Sequence, residues 1–347
     1  MIHFECDYAE GGHPLIMQAL VETNMEQTSG YSSDKYCEKA RELIRKACAS
    51  PKATVEFMVG GTQANATIIS AALRPHQGVL CPISAHINTH ETGAIEACGH
   101  KVLPLASQDG KVQVAQLEQA WLEHVNDANC EHLVQPGMVF ISQPTETGTL
   151  YSLQELKEIS SFCKKSRLIF YIDGARLGYA LGTPMNDADL KDIAQLTDVF
   201  YIGGTKVGAL FGEAVVITNS ALQKDFRYHM KQHGGLLAKG RLLGIQFQTL
   251  FETSLYYDIS KQAVKYALRI KAAFEKCNIK MLYNSFTNQQ FPILCKQHRE
   301  LLAKNYAFTF WEQIDENYSA VRFCISWATK EEQIQKLEQD ILKICKG

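Results

Sequence analysis

No apolar stretch in the chain approaches the roughly 20 residues that a membrane-spanning helix needs, so a helical membrane protein is not expected. Eleven cysteines are scattered singly from Cys6 to Cys345, with no C-x-x-C pair and no Cys/His grouping at zinc spacing. Neither a disulfide framework nor a metal site is therefore expected, and the pattern fits the reduced thiols of a cytoplasmic protein. Charge of one sign is also missing. Lys+Arg of 35 against Asp+Glu of 37 leaves a formal net charge of −2, which provides no electrostatic footprint for nucleic acid or an anionic membrane surface. The chain has no Gly-Lys-Ser/Thr phosphate loop and no G-x-G-x-x-G fingerprint, which disfavours a nucleotide site and a dinucleotide-dependent oxidoreductase. A secretory signal is not expected either, because Met1-Ile2-His3-Phe4-Glu5-Cys6-Asp7 interleaves charges with apolar residues. Internal repeats and low-complexity segments are absent.

What is present is core-forming material: 347 residues, 46% of them hydrophobic, enough for one large domain and a smaller one. Asp34 and the following residues to position 49 place Tyr36, Cys37, Ala40, Leu43, Ile44, Ala47 and Cys48 at helical spacing. Short apolar runs then alternate with helical patterns: strands at 54–59, 78–81, 101–105, 138–142, 168–172, 199–202 and 213–218, with helices at about 62–73, 90–98, 114–125, 152–165 and 190–195. Such alternation predicts an α/β fold with a mostly parallel central sheet flanked by helices. Ser152 with Glu155, and Thr329 with Glu332, read as capping boxes. Residues 221–275 read as largely helical, interrupted by Gly234-Gly235 and Gly240. Beyond them, strands near 280–283, 291–295, 307–312 and 320–327 mix with helices, as a smaller α+β domain would. The expected division is 1–250 for the large domain with its N-terminal segment and 251–347 for the small one.

Two residues lie just past apolar runs that read as buried parallel strands: Asp173 after Leu168–Ile172, and Lys206 after Asp198–Ile202 and a Gly203-Gly204-Thr205 turn. In an open α/β sheet, ligands bind in the crevice at the carboxyl ends of the strands. A carboxylate and an amine over one crevice suit pyridoxal 5'-phosphate, with the lysine forming a Schiff base and the aspartate keeping the pyridine nitrogen protonated. Upstream, Val59-Gly60-Gly61-Thr62-Gln63-Ala64-Asn65 runs from a strand through glycines into a helix, where first-turn N–H groups and the helix dipole hold a phosphate. Past the next strand, His86 is placed to stack on a flat cofactor and Glu91 to act as acid or base. Arg176, three residues beyond Asp173, suits bidentate capture of a substrate carboxylate. Arg322 is placed to close on that carboxylate from the second domain.

In order and spacing, Gly60–Asn65, Ala85-His86-Ile87, Asp173-Gly174-Ala175-Arg176 and Thr205-Lys206-Val207-Gly208 resemble the motif series of the threonine aldolase / β-eliminating lyase family, within fold type I of the pyridoxal phosphate enzymes. The N-terminal Asp7-Tyr8-Ala9-Glu10-Gly11 and Gly30-Tyr31 stand where family members place substrate-facing residues. The resemblance implies Lys206 as the Schiff-base residue and Asp173 at the pyridine nitrogen. It implies His86 on the ring, Gly61 and Thr62 as the phosphate cradle, Thr205 and Arg176 among the cofactor-binding residues, and Arg176 with Arg322 on the carboxylate. Tyr31 and Glu91 join the substrate side. A homodimer or homotetramer with active sites at the subunit interface is also implied, with Tyr31 reaching toward a neighbour and Tyr228, His233, Lys239 or Arg241 offering a cross-subunit phosphate contact.

The sequence departs from the family at one place. Typical threonine aldolases carry a Thr-His-Asn segment whose histidine approaches the β-hydroxyl, and this chain has Ser142-Gln143-Pro144-Thr145-Glu146-Thr147. The expected activity is cleavage of threonine or allo-threonine to glycine and acetaldehyde, with His86, His90, Glu91 or a water they hold as the base. Alternatives are β-elimination or transamination on the same scaffold, and, more distantly, a non-catalytic binding protein that keeps the fold.

Overall fold

A computed structural model describes residues 1–344. Its strands, in chain order, are β1 (Ile2–His3), β2 (Thr54–Met58), β3 (Gln77–Pro82), β4 (Lys101–Leu105), β5 (Gln135–Ser142), β6 (Ile169–Asp173), β7 (Val199–Gly203), β8 (Glu213–Ile217), β9 (Gln289–Gln290), β10 (Ile293–Cys295), β11 (Tyr306–Ala307), β12 (Thr309–Gln313) and β13 (Tyr318–Cys324). Seven of them form the main sheet in the order β2-β8-β7-β6-β5-β3-β4. The four pairings from β7 across to β4 are parallel, and β8 runs against both its neighbours. Strands β5 to β8 are almost wholly buried apolar runs, as expected for a sheet covered on both faces.

The reversed strand decides what gathers at the carboxyl edge. β6 ends there on Asp173, in register with Ser142 of β5, and β7 ends on Gly203, paired with Glu213. Because β8 is antiparallel, Glu213 lies at its beginning and still arrives at that edge; β2 is reversed once more, so Met58 pairs with Glu213 and leads directly to Gly60 and Gly61.

Helix Leu153–Ser166 opens on the expected capping box, with the Ser152 hydroxyl accepting from the Glu155 N–H and the Glu155 carboxylate from the Ser152 N–H. Three expectations change. The single helix at 90–98 is instead two short ones, His86–Thr89 and Ala94–Ala97, because Thr92 and Gly93 between them take left-handed φ of 55° and 71°. Near 280–283 there is only an isolated bridge, Met281 to Pro292, since proline supplies no N–H to extend a ladder. The Thr329–Glu332 box does not form: the Thr329 hydroxyl accepts from the Ser326 N–H, and the Lys330 N–H donates to Gln333.

Helix Leu255–Lys276 leads from the main sheet to the smaller one, in which β13 pairs antiparallel with β9, β10 and β12. The first strand crosses over: β1 lies parallel to β11, with Ile2 opposite Tyr306. This pairing delivers Asp7 and Tyr8 to the cleft between the sheets. No helix among the described residues is long and apolar enough to cross a membrane.

Candidate active site

A cavity of about 760 Å³ opens at the carboxyl edge of the main sheet, and Gly60, Gly61, Thr62, His86, Asp173, Thr205, Lys206 and Arg322 all line it. Residues separated by up to 262 positions thus share one space, brought together by strand ends and by β13. A second cavity of comparable size, about 620 Å³ around Lys271 and Tyr283, shares none of these residues.

Asp173 is only 4% exposed and held from three sides. The Tyr201 hydroxyl donates to its Oδ1 at 2.5 Å, the Ala175 N–H to the same oxygen at 2.9 Å, and Asn65 to Oδ2 at 3.2 Å. Asn65 also donates to Glu91 Oε1 at 2.7 Å, and its own oxygen accepts from the Tyr171 hydroxyl. These partners fix the position of the carboxylate. Gly174 lets the chain turn here, because a Cβ would sit 1.8 Å from the Tyr201 carbonyl oxygen.

Lys206 follows the β7 turn, its amine 6.0 Å from the centre of the Tyr8 ring. Burial pushes its pKa down and the Arg176 charge adds to that, while the carboxylates of Asp7, Asp173 and Glu213 pull the other way; the net direction is downward. A desolvated amine held toward its neutral form is the state that attacks a carbonyl carbon. Glu213 was not among the expected residues. Burial pushes its carboxyl up to about 8, although Thr205 and the Gly204 N–H both donate to it. A lone carboxylate opening an otherwise apolar strand was the signal available in the sequence.

His86 sits with Nδ1 2.8 Å from Glu91 Oε1, and its ring centre is 5.6 Å from that of His90. Glu91 is therefore engaged by Asn65 and His86 rather than free for substrate, and its Oε2 is buried without a partner. Arg322 reaches the cavity with NH1 on Gln289 and NH2 on the Glu5 carbonyl, its guanidinium 5.5 Å from the Trp311 ring.

Three of the expected residues have partners within the chain. Arg176 already holds a carboxylate, because Nε and NH2 donate to the two oxygens of Asp7. Thr205 has its hydroxyl occupied, donating to Glu213 and accepting from the Gly212 N–H. Arg241 is buried and donates to the carbonyls of Glu26 and Thr23. Tyr31 is outside the cavity of its own chain, 45% exposed, with Lys231 4.8 Å from its ring centre.

The residues present fit pyridoxal phosphate. A desolvated amine, a fixed carboxylate and a glycine-opened helix N-terminus face one cavity, and a Cβ at Gly60 or Gly61 would meet at most the Tyr201 hydroxyl, at 3.1 Å. The sequence model of the family described as beta-eliminating lyase matches residues 4–303. The chain belongs to the β-eliminating lyase family. It is 31% identical over 345 residues to the low specificity L-threonine aldolase of a Pseudomonas strain, covering 97% of this chain and 96% of that protein. The solved structure of Leishmania major threonine aldolase is 43% identical, with a TM-score of 0.97 over 99% of this chain and 100% of that one. Thermus thermophilus aspartate aminotransferase, at 12% identity and a TM-score of 0.70, covers 99% of this chain and 91% of its own, and shares the fold alone. This family member is thus a pyridoxal phosphate enzyme of fold type I, a carbon–carbon lyase related to the threonine aldolases.

Proposed function

We propose that the chain cleaves the Cα–Cβ bond of threonine and allo-threonine, releasing glycine and acetaldehyde. The observation that carries this reading is the placement of Asp173, Lys206 and the Gly60–Thr62 helix start around one cavity, in a chain similar along nearly its whole length to threonine aldolases.

In this reading Lys206 holds the cofactor through its amine. Asp173, held in place by Tyr201, Asn65 and the Ala175 N–H, faces the pyridine nitrogen. Backbone N–H groups at Gly61 and Thr62 receive the phosphate at the helix N-terminus. His86, oriented by Glu91, covers the ring face. Bound there, pyridoxal phosphate supplies an electron sink for the pair released at Cα. Arg322 holds the substrate carboxylate, and Arg176 keeps the floor of the cavity in place through Asp7. The fixed carboxylate orients the amino acid so that one bond at Cα is the one to break.

The curated relatives are named for low specificity, which supports relaxed discrimination between the two β-configurations. A cytoplasmic location, large and small domains at 1–250 and 251–347, and a homodimer or homotetramer with Tyr31 reaching a neighbouring site belong to the same proposal. The exposed Tyr31 and the ten unpaired thiols among the described residues support it. The test is aldehyde release from both diastereomers, with ammonia and keto acid measured in parallel. Aldehyde from both is expected. Ammonia or keto acid without aldehyde would move the assignment to elimination or transamination.

A further inference from the structure

The segment after β5 puts a carboxyl group into the cavity that none of the roles above employs. Glu146 lines it, and two donors hold the same oxygen: the Ser142 hydroxyl at 2.7 Å and the His86 N–H at 3.1 Å, both to Oε1. That leaves Oε2 for the cavity. Ser142 is in register with Asp173 on the neighbouring strand, so the carboxyl group is tethered one strand away from the expected position of the pyridine nitrogen, and through the His86 backbone to the residue expected over the ring. Of the other candidate bases, His90 lines the same cavity with its ring centre 5.6 Å from that of His86, and the remaining two are engaged. His86 and Glu91 hold each other, and Asn65 also donates to Glu91.

We propose that Glu146 is a catalytic residue that takes the β-hydroxyl proton of the amino acid during Cα–Cβ cleavage. The inference rests on the aldolase reading. Oε2 accepts the proton, the O–H electron pair becomes the second bond of the aldehyde C=O, and the Cα–Cβ pair stays on Cα. A proton delivered to Cα then yields glycine, and the proton on Glu146 returns to solvent. No oxidant or further reactant is needed.

The surroundings make this carboxylate a stronger base than an exposed glutamate. Burial raises the Glu146 carboxyl above the ordinary range, Asp173 adds to this, and Ser142 and the His86 N–H oppose it. The titratable groups facing it are Cys81 from β3, Asp173 from β6 and Tyr151 from the turn beyond, with His86, His90, Arg322 and Lys206 lining the same cavity.

Glu146→Gln retains an acceptor for Ser142 and His86 but cannot take a proton. Aldehyde release from both diastereomers should fall about 100-fold or more, while the Kd for glycine, which has no β-hydroxyl, stays within about threefold of the parent protein, well under 1 kcal/mol. The acidic limb of the kcat/KM profile should vanish. Difference infrared spectra of the cofactor-free protein should lose one protonated-carboxyl band that titrates in the parent. Ser142→Ala removes a donor to the carboxylate, so its acidic limb should move to higher pH. Near-parental aldehyde release by Glu146→Gln with the acidic limb intact overturns the proposal. If that variant fails to fold or to bind glycine, an unmoved limb in Ser142→Ala overturns it instead, and a limb shifted upward supports it. No aldehyde from the parent protein on either diastereomer sinks the aldolase reading, and this proposal with it.

Discussion

Arg176 and Asp7 form a two-point ion pair inside the site: Nε donates to Oδ2 at 2.7 Å and NH2 to Oδ1 at 3.0 Å. Both side chains are nearly removed from solvent, and Asn288, just before β9, adds a donor to Asp7. Arginine three residues after Asp173 reads, from sequence, as a free cation waiting for substrate. In the fold it fastens the N-terminal segment to the main sheet.

Removing one partner from this pair leaves the other buried and uncompensated. Asp7→Asn should therefore destabilise the protein by about 3–5 kcal/mol, measured by denaturant unfolding at neutral pH. Burial works to raise the Asp7 carboxyl, but the charges of Arg176 and Lys206 and the hydrogen bonds from Arg176 and Asn288 outweigh it and hold the carboxyl at about 2. A depressed carboxyl stabilises the fold above its unfolded value of 3.8, and that contribution is lost as pH falls toward about 2. The acid limb of the stability curve between these values should be shallower in Asp7→Asn.

Lys206 should carry the cofactor. Borohydride reduction of the loaded protein followed by peptide mapping is expected to place the pyridoxyl group on Lys206. Label on another lysine refutes the assignment.

Asp173→Asn keeps the shape of the side chain and removes the charge. Cofactor should still bind, with turnover lower by about two orders of magnitude or more, on the order of 3 kcal/mol in the barrier. Turnover near that of the parent protein would mean another group faces the pyridine nitrogen.

Arg322 is the cavity arginine not already paired with a carboxylate. Arg322→Gln should raise the KM for threonine by about 10- to 100-fold, the loss expected for charge-assisted hydrogen bonds, with kcat affected less. A larger change in kcat than in KM would place Arg322 in the chemical step instead.

Most of the strands, and the cavity-lining positions at their ends, were legible because each depends on local pattern: an apolar run, a turn, then Asp173 or Lys206. The Ser152 box was legible for the same reason, since both its members sit within one turn. What escaped depends on partners far away in the chain. Thr205 looks free until β8 reverses and brings Glu213 beside it, and Arg176 looks free until Asp7 arrives from 169 residues away. The helix expected at 90–98 failed for a local reason, the left-handed pair Thr92 and Gly93.

The pairing of β1 with β11 has a bearing on how the protein is made. Residues 2–8 are synthesised before Tyr306, and Ile2 has no strand partner until Tyr306 has been made. Contacts of such long range form slowly. The main sheet can assemble during translation, but Arg176 has no counter-ion until this tether closes. Competence for catalysis should consequently appear after the bulk of the secondary structure, as a late phase in refolding.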